Sequence, residues 1–385
     1  MKTSPTSSSN PAIFIRNVLL KAFILLAAIN LCFAAIHPIN WLGQLSLYNH
    51  FFPGRIRLPF GERPDLAYNL SLDNLPAMFA SHQIHTSGQT SSEFKVILIG
   101  DSSVWGYLLT PAQTLSGQMN QANLRLADGR PIRFYNLGYP TISLTKDVFI
   151  LRQALHYQPD LIIWLTTLEA FPIEKQLASP ILQDNPSAVR AMIQALDLPL
   201  DVNDIRFKHT SFWSETILGQ RRALADLLRL QIYGILWAAT GVDQYYPSTF
   251  EPPQHDLDAD DTFYNQRPPS LIMDELAFPI LQSGIELAGK TPVLLVNEPI
   301  YISDGQNSDI RYNFFYPRWA YDEYRQVLQT SSQEHGWVYL DAWDLIPASE
   351  FTNSAIHLSP QATTLLADKI LASVSEMAVS LEKNK

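Results

Sequence analysis

Five short, predominantly apolar runs constrain the fold of this 385-residue chain most tightly: "KVILIG" (95–100), "IRFYNLG" (132–138), "DLIIWLTT" (160–167), "TPVLLVN" (291–297) and "WVYLDAW" (337–343). They have the length of strands, and continuous apolarity means that both faces are buried, as in a parallel sheet covered by helices on each side. The stretches between them read as helices. The pattern predicts an α/β chain, a three-layer α/β/α domain around a mostly parallel five-stranded sheet. One interval, about 171–290, is too long for a single crossover and predicts a helical insertion or lid. It carries "RRALADLLRLQIYGILWAATG" (221–241), whose apolar face is expected either to pack on the core or to touch a membrane or cover a site; Arg229 argues against a second span.

The N-terminus carries a second constraint. Val18 to Ile36, "VLLKAFILLAAINLCFAAI", is apolar apart from Lys21 and Asn30 and is long enough to cross a bilayer. Lys2, Arg16 and Lys21 precede its centre, so the positive-inside bias predicts a cytoplasmic tail at 1–17, an anchor at 18–36, and the rest of the chain outside. A cleaved signal peptide and a buried core helix are the alternatives. Residues 37–93, aromatic and Pro-containing, read as an extended neck, with the globular domain running from 94 to 385. The expected localisation is therefore single-pass membrane, with the globular domain extracytoplasmic.

Composition closes other routes. A formal net charge of −10 without a dense Lys/Arg block argues against nucleic acid as a partner. The single cysteine, Cys32, excludes an internal disulfide and a cysteine-built zinc site, and Ile29-Asn30-Leu31 before it lacks the small residue of a lipoprotein signal. Asp256, Asp258 and Asp260 have calcium-loop spacing, but Asp261 stands where that loop needs glycine and Arg267 where it needs glutamate. No metal or organic cofactor is expected.

The first apolar run breaks into Gly100-Asp101-Ser102-Ser103. In a parallel α/β sheet, residues just past the strand ends face the ligand crevice, so Ser102 is expected there as a nucleophile. Asp101 is the accompanying acid, and both residues also suit a plain helix N-cap. Asn136-Leu137-Gly138 ends the second run, where a glycine permits close backbone approach and its N–H can hold an oxyanion. Of the nine histidines, only His357 follows the last strand and precedes a Ser-Pro helix start, Ser359-Pro360, which suits a general base. Thr167 and Glu169 after the third run, and Asn297 and Glu298 after the fourth, would also face the crevice. Thr167, Glu169 and Asn297, with Asn136, Asn353 and Ser354, make up the expected substrate-binding set.

These blocks resemble those of the SGNH/GDSL hydrolase superfamily: "GDSS" (100–103), "NLGYPT" (136–141) and "NSAIHLSPQA" (353–362). The resemblance covers roughly Phe94 to Ser375 and implies a flavodoxin-like SGNH fold. It implies Ser102 as nucleophile, Gly138 as oxyanion donor and His357 as base. The anchored layout is similar to the subgroup that includes the D-alanyl-lipoteichoic acid biosynthesis protein D and polysaccharide O-acetylation proteins. Two departures matter. No asparagine follows the third strand to supply a side-chain oxyanion donor, and Ser354 stands where the family places an aspartate three residues before the histidine. The expectation is a Ser-His dyad, with Asn353 or a backbone carbonyl orienting the ring, that hydrolyses or transfers an acyl ester of an extracytoplasmic polysaccharide or lipid. The alternative is an impaired SGNH-fold scaffold that binds glycan or an integral-membrane acyltransferase partner.

Overall fold

A computed structural model describes residues 10–47, 49, 54–60, 74–86, 92–209, 211–240 and 249–383. In chain order its main elements are α1 (Pro11–Ile36), α2 (Leu75–Ser81), β1 (Phe94–Ile99), α3 (Ser102–Trp105), α4 (Leu115–Gln121), β2 (Ile132–Asn136), α5 (Leu144–Ala154) and β3 (Leu161–Thr166). There follow α6 (Arg221–Thr240), α7 (Phe278–Leu287), β4 (Val293–Asn297), α8 (Arg318–His335), β5 (Val338–Asp341) and α9 (Pro360–Lys383). All five strands pair in parallel in the order β2-β1-β3-β4-β5. This is the flavodoxin-like doubly wound order, in which ligands sit beyond the carboxyl ends of the strands where the order reverses.

Side-chain alternation divides the strands between two cores. Ile97, Ile99, Ile162, Trp164 and Leu295 face one side, where α2, α5, α7 and α8 contribute Phe79, Leu151, Leu281 and Leu328. Val96, Leu98, Ile163, Leu165 and Val296 face the other, against Leu115 and Met119 of α4 and Leu366 and Ile370 of α9. The central strands β1, β3 and β4 are thus buried on both faces, whereas the edge strand β5 is partly exposed, Val338 at 44%.

Two boundaries differ from the sequence reading. Two described parts of the stretch read as a neck, 54–60 and 74–86, are folded into the domain, the rest of 50–91 lying outside the described residues: Leu58, Leu75, Met78, Phe79 and Ile84 are at most 3% exposed and join the first core. Arg57 is buried as well, donating through Nη1 to the carbonyls of Gly106 (2.8 Å) and Leu109 (3.0 Å) and lying 4.2 Å over the Trp105 ring. The Trp105 indole N–H donates back to the Leu58 carbonyl at 2.8 Å. His82, fully buried, accepts at Nδ1 from Ile84 N–H and faces the Ile56 carbonyl through Nε2. A charged guanidinium on an aromatic face inside a protein is not legible from an aromatic, Pro-containing composition. The insertion is also shorter than read. Ala277 N–H donates to the Phe171 carbonyl at 2.8 Å and Pro172 bridges Leu276, so the excursion closes near 276 and α7 is an ordinary crossover helix.

Among the described residues α1 is the one helix long and apolar enough to cross a membrane, with a mean hydropathy of 2.3. Its helix begins earlier than the apolar run, at Pro11 behind an Asn10 cap. In α6, Leu227 and Leu230 are buried while Leu228 and Ile232 are exposed.

Candidate active site

The elbow after β1 is built from close packing. β1 ends at Gly100, where a Cβ would stand 2.5 Å from Val104 Cγ2 and 3.1 Å from the Leu165 carbonyl. Asp101 caps the four-residue α3, its carboxylate accepting from Ser103 N–H at 2.8 Å. Ser102 is the first residue of α3, and its backbone N–H meets no acceptor among the described residues.

Ser102 Oγ lies 2.7 Å from His357 Nε2, and His357 Nδ1 lies 2.8 Å from Asn353 Oδ1. With Nδ1–H donating to the amide oxygen, Nε2 presents its lone pair to the serine hydroxyl, the tautomer that a general base needs. The loop carrying the histidine is clasped shut. Phe351 bridges Leu358, Thr352 N–H donates to the His357 carbonyl (2.8 Å), and Tyr301 N–H donates to the Ala355 carbonyl (2.7 Å). The imidazole stacks on Tyr107 with centroids 4.8 Å apart. Burial alone lowers the His357 pKa to about 4, so the ring is neutral at physiological pH.

Of the two orienters expected for the ring, Asn353 or a backbone carbonyl, it is Asn353 that meets Nδ1; Ser354 does not. Asn136 is corrected. It is fully buried, donates through Nδ2 to the Val104 carbonyl at 2.7 Å and accepts Gly138 N–H at 3.1 Å, so it ties α3 to the end of β2. The same bond occupies the N–H expected to hold an oxyanion. Gly138 is required sterically in any case, since a Cβ there would stand 2.4 Å from Trp105 N.

Three further residues are drawn into the walls. The Thr167 hydroxyl pairs with Tyr316 OH at 3.0 Å. Asn297 donates to Asp341 at 2.9 Å and accepts from the hydroxyls of Tyr321 and Tyr324, each at 3.3 Å. Both residues are fully buried, so they hold the sheet's carboxyl edge rather than a ligand. Glu169 accepts from Lys175 Nζ (2.5 Å) and Tyr264 OH (2.6 Å), which pins the insertion to the end of β3.

Beneath the elbow lies a buried ionisable cluster that the sequence reading missed apart from Asp101 and Glu298. Lys146 Nζ donates to the Gly100 carbonyl (2.7 Å), the Tyr139 carbonyl (3.2 Å) and Asp147 (2.5 Å). Ser103 Oγ donates to Glu298. Burial raises Asp101, and raises Asp147 to about 6, with Lys146 opposing both. Burial, reinforced by the negative Asp101, pushes Glu298 well above the usual carboxylate range. A lysine inside an amphipathic helix reads as a solvated residue, and only the packing of α5 onto β1 turns it inward. Among the described residues no group of three or more His, Cys, Asp or Glu is placed to hold a metal ion.

No family model matches the chain. No curated protein matches it either. The solved structures similar to it include a member of the lipolytic protein G-D-S-L family from Veillonella parvula, at 12% identity over 72% of this chain and 96% of that one, with a TM-score of 0.36. A carbohydrate acetylesterase family member from Sinorhizobium meliloti is 13% identical over 74% and 99%, with a TM-score of 0.32. An aryl esterase of M. smegmatis is 11% identical over 73% and 98%, with a TM-score of 0.32. At such scores these likenesses carry no weight for activity, and the functional reading rests on Ser102, His357 and Asn353.

Proposed function

We propose that the chain is a serine ester hydrolase or acyltransferase of SGNH type, held to a membrane by α1 and acting outside the cytoplasm on an acyl ester of a cell-envelope polysaccharide or lipid. The observation that carries this reading is the 2.7 Å approach of Ser102 Oγ to His357 Nε2 with an amide behind the ring. Ser102 Oγ attacks the acyl carbonyl as His357 Nε2 takes its proton. Ser102 N–H, joined by Gly138 N–H once Asn136 releases it, holds the oxyanion. Collapse expels the alkoxide, which takes the proton from the imidazolium and leaves an acyl-serine. Water or a sugar hydroxyl, deprotonated by the same Nε2, then attacks the acyl group and frees the serine. In this scheme the chemistry needs no metal or organic cofactor, and an integral-membrane acyltransferase is a candidate partner for supplying acyl groups.

A fluorophosphonate probe tests the reading. The expected result is one phosphonyl adduct in the intact mass, abolished in Ser102→Ala and in His357→Ala. A second reading, a non-catalytic scaffold binding glycan, draws on the occupied Gly138 N–H and the neutral partner of the ring. An unlabelled folded protein would favour it and sink the enzyme.

A further inference from the structure

We propose that the insertion docks on the same membrane that α1 enters, through an apolar face made by the turn at 212–218 and the outer side of α6. This inference rests on α1 being a membrane anchor. With 26 residues, α1 is about 39 Å long at 1.5 Å per residue, longer than the roughly 30 Å hydrocarbon core, so its C-terminal end reaches headgroup level. The insertion is knitted to that end. His37, the residue capping α1, pairs through Nδ1 with Glu215 at 3.2 Å, and Glu215 accepts from Gln220 at 3.2 Å, one residue before α6. Leu47 N–H donates to Gln231 of α6 at 2.6 Å. A turn and a helix fixed so close to the exit of a span lie at the level of the lipid headgroups.

Their surface chemistry suits that level. Trp213 is 77% exposed and Leu218 63%, beside exposed Phe212 and Trp41. On α6, Leu228 and Ile232, four residues apart on one face, are 62% and 61% exposed, while Leu227 and Leu230 on the other side pack into the core. A water-facing role does not account for two tryptophans, a phenylalanine and three aliphatic side chains gathered round one end of an apolar helix. Indole and phenyl rings favour the membrane interface, where one edge is apolar and the other wet. Arg221, Arg222 and Arg229 line α6 and would set their guanidinium groups among lipid phosphates, the arrangement of an interfacial helix lying in the membrane plane. The domain would then be held at two places, by the span and by this face, which fixes its tilt over the membrane.

The test uses the full chain in nanodiscs of phosphatidylcholine and phosphatidylglycerol, in a Cys32→Ser background, with a nitroxide attached at Trp213→Cys or Ile232→Cys. Leu25→Cys in α1 and Leu365→Cys on α9, which packs on the opposite face of the sheet, serve as references; all four native side chains are exposed. The measured quantity is the ratio of collisions with oxygen, which enters lipid, to collisions with a water-soluble nickel chelate. A ratio at Trp213→Cys and Ile232→Cys severalfold above that at Leu365→Cys, and below that at Leu25→Cys, is expected. Ratios equal to the Leu365→Cys value, with Leu25→Cys high, would overturn the docking face and leave the anchor standing. Low ratios at every site would overturn both.

Discussion

Asn353 Oδ1 lies 2.8 Å from His357 Nδ1, on the far side of the ring from Ser102. An amide there fixes the tautomer and the ring plane but supplies no negative charge to the imidazolium formed during attack, which is the second service of a triad carboxylate. The Thr352 hydroxyl, 3.4 Å from the same oxygen, helps to keep the carbonyl end of the amide toward the ring.

Asn353→Asp should therefore increase turnover. The gain is bounded by the roughly 10⁴-fold that the reverse change costs a serine protease. Asn353→Ala should reduce turnover, and Ser354→Asp should leave it nearly unchanged, because residue 354 does not face Nδ1. Steady-state hydrolysis of a p-nitrophenyl ester separates the three. A gain in Ser354→Asp with none in Asn353→Asp would contradict the geometry.

The pH profile of kcat/KM should rise through a single acid limb near pH 4, since His357 is a base only when neutral and burial lowers it to about 4. In Asn353→Asp the carboxylate favours the charged ring, so the limb should move to higher pH. A limb at the ordinary histidine value in the parent protein would show that the ring is solvated.

Stability should respond to the second buried imidazole. His82 falls from 6.5 to about 4 on folding, through burial. The unfolded chain then binds the extra proton, so this contribution is complete above pH 6.5 and is lost as the pH falls toward 4, amounting to about 3 kcal/mol. Asp147, raised by burial to about 6, acts in the opposite sense, its contribution being present at low pH and lost as the pH rises through about 6. The His82 effect is thus read as a difference. Urea unfolding of His82→Gln should lose stability at pH 7 and converge toward the parent near pH 4.

Gly138→Ala should cost about 10²-fold in turnover, the loss expected when a reacting group is misplaced by about 1 Å. The cause is lack of room: the new methyl would meet the backbone of α3 at Trp105 N and Val104 C and push the nucleophile aside. A crystal structure of the variant would show Ser102 Oγ moved away from His357. Full activity with an unshifted serine would contradict this.

Glu298→Gln should alter stability at neutral pH by less than about 1 kcal/mol, because an amide matches the carboxyl in shape and its oxygen still accepts from Ser103. Glu298→Ala, which leaves the Ser103 hydroxyl without its acceptor, should cost about 1–3 kcal/mol. Equal large losses in both would mean that Glu298 is ionised. Chemical denaturation at pH 7 makes the comparison.

The sheet was legible almost to the residue, because strands buried on both faces must be apolar without interruption: "DLIIWLTT" contains Leu161–Thr166 and "TPVLLVN" contains Val293–Asn297. The approach of Ser102 to His357 followed from their places at the two ends of the domain. The residues behind them were harder to read. Whether Asn353 or Ser354 meets the imidazole depends on how the six-residue loop 352–357 is pinched by Phe351 and Leu358, and spacing alone does not encode that. Asn297 shows a different limit: a polar residue ending a buried strand can face the crevice or the core, and the tyrosines of α8 that decide the matter lie more than twenty residues away in the chain. Arg57 was opaque for the opposite reason, since an arginine in a loop gives no sign that two carbonyls and an indole ring are waiting for it inside.

Arg57 also sets where the protein can be cut. Its guanidinium grips the turn after the nucleophile helix from a segment that lies between the anchor and the sheet. Truncation ahead of Gly54 would leave that grip in place, whereas trimming back to Phe94, where the strands begin, would strip the support from under Ser102. Arg57→Ala reproduces the second case without a cut. Two charge-assisted bonds at about 1.5–3 kcal/mol each are lost, so thermal melting should fall markedly, and Arg57→Lys should recover part of the loss.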